Sequence, residues 1–145
     1  MTTLADALQL YLNQQPSLRG AADRVYQDSL DQHTKLPAVV IRDPDEAGGH
    51  HQQAADGLVE ARIQVDAWAA TKPEASQIQK ALRELLDGYP RGTLGADGET
   101  IEVEGIHLEN RYLREHAGDE GDDASEFQAI LDLTVWYRET VPEFD

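Results

Sequence analysis

The first periodicity along the chain is helical. Leu4, Leu8, Tyr11 and Leu12 recur at three- and four-residue spacing, Thr3 precedes them as an N-cap with Asp6 three residues on, and Pro16 closes the segment. The spacing predicts a short amphipathic helix. Beyond it, "RVYQ", residues 24–27, reads as a short strand. "LPAVVIRD" reads as a buried strand of about six residues, although so short an apolar run does not by itself separate strand from helix. Residues 44–57, "PDEAGGHHQQAADG", have no apolar periodicity and contain two adjacent glycines. Connections of that length are usually functional or disordered.

Period two takes over from Leu58 to Ala69. A second helix follows and is the clearest element in the chain. Thr71 and Glu74 have capping-box spacing and Pro73 lies in the first turn. Ala75, Ile78, Ala81, Leu82, Leu85 and Leu86 form one stripe, and Gly88 stands where a helix commonly ends. "TLGADGETIEV" predicts a hairpin turning at Asp97 and Gly98. From Ile101 the alternation passes through Val103 and then slips phase to Ile106, Leu108 and Tyr112, which requires a bulge, placed at Gly105. A final strand is expected from Glu126 to Glu139, before a tail, residues 140–145, that contains Pro142. Strands that follow one another without helices between them favour antiparallel pairing. The expected fold is α+β: two layers, a mainly antiparallel sheet with two helices packed on one face, in a single domain spanning residues 1–145.

Both tryptophans break the alternation of their strands. In "ARIQVDAWAA", Ala61, Ile63, Val65 and Ala67 share one face, while Trp68 falls in phase with Arg62, Gln64 and Asp66. In "FQAILDLTVWYRE", Phe127, Ala129, Leu131, Leu133, Val135 and Tyr137 keep one phase, while Asp132, Thr134 and Trp136 take the other. Two readings stand: each Trp anchors a contact with another protein, or each is covered by a neighbouring element of its own chain. Trp68 lies three residues before the helix cap at Thr71, a position that fits tucking beneath the strand-to-helix turn. Trp136, with Thr134 and Arg138 on its face, is the better candidate for a partner.

Composition adds a strong charge. Twenty-eight acids against 12 basic residues give a formal net charge of −16, which repels nucleic acid and anionic lipid. Such acidity fits a solubility effect, a salt-adapted source, or a wall past which DNA moves without sticking. With no cysteine there is no disulfide framework, no thiolate nucleophile and no ordinary structural zinc site, as suits a cytosolic or virion protein. Neither a signal peptide nor a transit peptide is expected at the N-terminus, and the longest apolar run, Ala38 to Ile41, is too short to cross a bilayer.

Catalytic motifs do not emerge. Gly92, Gly95 and Gly98 precede a hairpin and not a helix, so they read as turn glycines. His50 and His51 are adjacent in a glycine-containing loop and lack metal-ligand spacing. Residues 115–126 hold six carboxylates, and Asp119, Glu120, Asp122 and Asp123 do not match a calcium loop. Glu84 and Asp87 belong to the polar face of the second helix, and His107 is expected to be exposed. No catalytic, cofactor or metal residue is assigned. The two polar stretches, 44–57 and 115–126, are instead expected to act as arms toward other proteins.

The order of these features resembles the tail-completion, or tail terminator, proteins of long-tailed bacteriophages. The resemblance runs over most of the chain, through the N-terminal leucine helix, "RVYQDSLDQHTKLPAVVIR", "ARIQVDAWAATKPEASQIQKALRELLDGY", "IHLENRYLRE" and the closing "DLTVWYRE". It implies a non-enzymatic α+β virion protein that forms a ring, typically a hexamer, on the head-proximal end of the tail tube. There it would end tube growth and join tube protein to the head connector, with DNA passing through the lumen, after assembly in the host cytoplasm. The middle loop and the acidic loop carry no family motif. The rival readings are a small α+β ligand-binding module or enzyme, and another neck, baseplate-type or minor tail component.

Overall fold

A computed structural model of the chain describes residues 3–29, 35–42, 52–53, 57–116 and 126–138. The first helix, α1, is Leu4–Asn13. Thr3 caps it, accepting a hydrogen bond from the Asp6 N–H while the Asp6 carboxylate accepts one from the Thr3 N–H. The helix ends before Pro16, as expected. A 3-10 helix, Pro16–Asp23, follows and buries Leu18, Ala21 and Ala22. The strands are β1 (Val25–Gln27), β2 (Ala38–Arg42), β3 (Gln52–Gln53), β4 (Leu58–Ala69), β5 (Gly92–Ala96), β6 (Glu99–His116) and β7 (Glu126–Arg138). Helix α2, Lys72–Leu86, lies between β4 and β5 and is capped by Thr71, whose hydroxyl accepts from the Glu74 N–H.

All seven strands join one sheet in the order β1-β2-β4-β7-β6-β5, with β3 beside β4. Only β1 and β2 run parallel. Two layers result, as the alternation predicts. One face buries Val39, Ile41, Ala61, Ile63, Val65, Ala67, Leu131, Leu133 and Val135 beneath α1, α2 and the 3-10 helix. From α2 come Ala75, Ile78, Leu82 and Leu86, with Ala81 and Leu85 packed at the margin. Tyr11 of α1 donates from its hydroxyl to the Leu85 carbonyl at 3.2 Å, filling an acceptor left open in the last turn of α2. Its ring meets Tyr89 edge-on at 5.4 Å.

β6 carries the predicted bulge at Gly105, where its register on β7 shifts between Val103 and Gly105. A second shift, between Leu108 and Asn110, corrects one expectation. It returns Leu113, not Tyr112, to the helix-covered face, and Tyr112 pairs with Ile130 on the other. The hairpin turns at Asp97 and Gly98, with φ of 54° and 81°, as a two-residue turn of the primed kind requires.

Two glycines separate backbone need from convenience. Gly95 has φ of 129°, and a Cβ there would run into the Glu99 carbonyl oxygen across the hairpin. At Gly105 an added Cβ meets nothing within 4 Å. Gly95→Ala is therefore expected to destabilise the fold by about 1–3 kcal/mol and Gly105→Ala by about 0.5 kcal/mol or less. Urea unfolding of both variants checks the difference.

Candidate interaction surface

The face of the sheet away from the helices holds most of the side chains with unusual surroundings. Trp68 pairs with Gln128, Asp66 with Ile130, Gln64 with Asp132, Arg62 with Thr134 and Glu60 with Trp136, and directly opposed residues share a face. Trp68, Trp136, Thr134 and Arg138 thus lie on one face, as their phase requires. The tryptophans are eight positions apart along the ladder, about 26 Å at strand rise, so they form two patches and not one.

Trp136 is half-buried beside Gly105 and Glu60. Thr134 next to it is buried and donates its hydroxyl to Glu109 Oε1 at 2.9 Å. Arg138 Nε bonds Glu104 Oε1 at 2.8 Å, and the second oxygen of Glu104 holds Arg91 at 3.1 Å. This patch is an aromatic ring framed by paired charges.

The Trp68 patch is built over a buried carboxylate. Asp66 is fully buried. Gln64 donates to both of its oxygens at 2.8 and 3.0 Å, Gln128 donates at 2.7 Å, and Arg42 Nε lies 3.3 Å away. Burial pushes the Asp66 carboxyl above its ordinary pKa. The bonds from Gln64 and Gln128 and the charge of Arg42 oppose that shift, and the charge of Asp132 adds to it. Because the Gln128 amide nitrogen is committed to Asp66, its oxygen faces His116, with His116 Nε2 at 2.9 Å. His116 Nε2 must then carry a proton. The imidazole stacks on Trp68 with centroids 5.1 Å apart, while the buried Trp68 Nε1 has no hydrogen-bond partner among the described residues.

Arg42, Gln64, Asp66, His116 and Gln128 were not singled out by the sequence. The available signal was weak: polar residues in the polar phase of two strands read as solvated until the strands are paired. His107 is exposed, as expected. His50, His51, Asp119, Glu120, Asp122 and Asp123 lie outside the described residues. Among the described residues no group of three or more His, Asp or Glu side chains is placed to hold a metal ion. No helix among them is long and apolar enough to cross a membrane.

The pattern that defines the tail completion protein gp17 family matches residues 6–138. The chain belongs to that family. It is therefore a structural protein of a phage tail, a component of a virion. The match spans α1 through β7, so both tryptophans and the Asp66 network lie within the tail completion domain. No individual curated protein matches the chain in sequence. A chain in the solved structure "Virion of native gene transfer agent (GTA) particle" is similar in fold, with a TM-score of 0.62 at 12% identity, over 94% of this chain and 95% of that one.

Asp66 and Asp6 give opposite contributions to stability as pH falls. A carboxyl with a raised folded pKa favours the folded state once protonated. Asp66 therefore adds stability as pH drops from its folded pKa toward 3.8. Asp6 has its pKa lowered, first by the Gln27 hydrogen bond, against burial, with Thr3 assisting, so its contribution is held above 3.8 and lost below it, as pH falls through the folded pKa. The Asp66→Asn variant is expected to lose the acid-side gain. Urea unfolding from pH 7 to 4 should show the wild type improving relative to the variant as pH falls.

Proposed function

We propose that this protein caps the head-proximal end of a phage tail tube as a ring, with a hexamer expected, ends tube growth and joins the tail to the head connector. The observation that carries this reading is the family match across residues 6–138, nearly the whole chain. The similarity in fold to a chain of a gene transfer agent virion is in keeping with it. On this reading the protein is not an enzyme, folds as a single domain over residues 1–145, and assembles in the host cytoplasm before joining the virion. Tube protein, connector protein and further copies of the chain are its partners. The net charge of −16 suits a lumen through which DNA slides without specific binding.

Head-to-tail protomers in a ring need two different patches that fit each other. The half-buried Trp136, framed by Arg138, Glu104 and Arg91, supports its use as an anchor in one such contact, because large rings with charged rims dominate interface energetics. Residues 44–57 and 115–126 are proposed as arms toward tube, connector or lumen.

Purified protein mixed with tail tubes is expected to give capped tubes or closed rings by negative-stain imaging and light scattering. Trp136→Ala should leave circular dichroism and thermal melting intact while weakening assembly about tenfold or more. Trp68→Ala should weaken it too with the fold retained. A protein that stays unbound and monomeric with both tube and connector proteins present would count heavily against this reading. A small-molecule affinity abolished by Asp66→Ala would favour a ligand-binding module.

A further inference from the structure

The sheet ends in β1 and β5, and beyond the reach of β5 the strand β6 carries a further stretch of edge that no strand covers among the described residues. β5 covers Glu99–Val103 only. Next along, the Gly88 N–H donates to the Ile106 carbonyl and Asp87 Oδ1 accepts from the Leu108 N–H, so the end of α2 closes the edge there. These two bonds also show which residues turn their backbone outward. Ile106 and Leu108 face outward and are paired with Val135 and Leu133 of β7. The same phase continues through Leu131, Ala129 and Phe127, which pair with Arg111, Leu113 and Glu115. Arg111, Leu113 and Glu115 therefore point their N–H and C=O groups away from the sheet. Among the described residues only the Arg111 N–H has a partner there, the Asn110 side-chain oxygen at 2.9 Å.

The side chains along this edge read "RYLRE" from Arg111 to Glu115. Laid antiparallel against itself about Leu113, the segment places Arg111 opposite Glu115 twice, Tyr112 opposite Arg114 twice, and Leu113 opposite Leu113. Opposed side chains in such a pairing share a face, so each Arg meets a Glu on the helix side and each Tyr meets an Arg on the other. The outward backbone phase at 111, 113 and 115 is the phase that this register uses. Two bonds form between the Leu113 residues and one more from each Glu115 N–H to the opposite Arg111 carbonyl. Arg111 and Glu115 are exposed, and neither has an ionic partner in its own chain among the described residues. Arg114 already lies 5.4 Å from the Tyr112 ring centroid. Charges on an edge strand commonly keep other strands away. Here Arg111 and Glu115, of opposite sign at the two ends of the segment, repel a parallel copy in register and attract an antiparallel one.

We propose that the edge Arg111–Glu115 pairs with the same edge of a second copy of this chain, making one sheet continuous across a twofold axis. The contact closes at two copies, uses a surface distinct from the Trp136 patch, and does not depend on the ring reading. Five residues per copy make a small interface, so the pairing is a concentration-dependent equilibrium of the free protein.

The test is light scattering and sedimentation of the full chain over a concentration series. The wild type is expected to dimerise. Arg111→Glu should raise the dimer Kd about tenfold or more by setting Glu against Glu at two places, and the double swap Arg111→Glu with Glu115→Arg should restore it. Circular dichroism checks that each variant is folded. A second measurement uses the lack of native cysteine: Leu113→Cys should oxidise to a symmetric disulfide faster than Ser76→Cys on α2. Opposed Cα atoms of about 5.5 Å suit that bond. A wild type that remains monomeric throughout, a dimer indifferent to Arg111→Glu, or a double swap that does not recover would each overturn the proposal.

Discussion

The register of β4 against β7 is the constraint on which the rest of the molecule depends. Their pairing runs without a bulge from Leu58 opposite Arg138 to Ala69 opposite Phe127. That single register puts Ala61, Ile63, Val65 and Ala67 beside Val135, Leu133, Leu131 and Ala129 under the helices. It also sets Asp66 and Trp68 beside Ile130 and Gln128 on the far side. A slip by one residue would turn Trp136 and Arg138 toward the helices and Leu131, Leu133 and Val135 away from them. Each large apolar side chain so lost removes about 1.5–3 kcal/mol, against a domain stability of about 5–15 kcal/mol. The placement of the tryptophans is thus a consequence of the core.

Long elements with one dominant phase were legible for that reason. β4, β7 and α2 each repeat their apolar positions often enough that no other assignment buries them. The Gly105 bulge was legible too, because Val103 and Ile106 lie an odd number of residues apart. The second bulge was hidden by Tyr112. A tyrosine at even spacing from Leu108 looks in phase, yet its ring and hydroxyl suit either face, and the aliphatic Leu113 takes the core side. The 3-10 helix was missed because its three buried residues follow a proline and are too few to show a period. β3, two glutamines, has no apolar residue to report it.

The Asp66 network shows why a polar cluster resists reading from sequence. Asp66, Gln64 and Gln128 occupy polar-phase positions, and a solvated face would look the same. Burial comes from pairing: Val40 and Ile130 flank Asp66 on the two neighbouring strands and are themselves buried. A carboxylate so placed must be satisfied by donors, and the two glutamines and Arg42 supply them. Once Gln128 is oriented by Asp66, the proton on His116 and the ring beneath Trp68 are fixed in turn. The tryptophan was visible in the sequence, whereas its support was not.

The two edges of the sheet are unequal, and that limits how copies can meet. At β1 the outward carbonyls are taken: Gln9 of α1 donates to Val25 at 2.7 Å, and the Ser29 N–H donates to Gln27 at 2.9 Å. β1 therefore offers no acceptor to a neighbouring strand. A ring in which each sheet continues into the next would pair an edge on one side of the protomer with an edge on the other, and the acceptors at β1 are already taken. Lateral contacts in such a ring would then draw on the faces of the sheet, and Trp68 and Trp136 are the largest side chains of the outer face. The β6 edge at Arg111–Glu115, by contrast, is complementary to its own copy when the two run antiparallel.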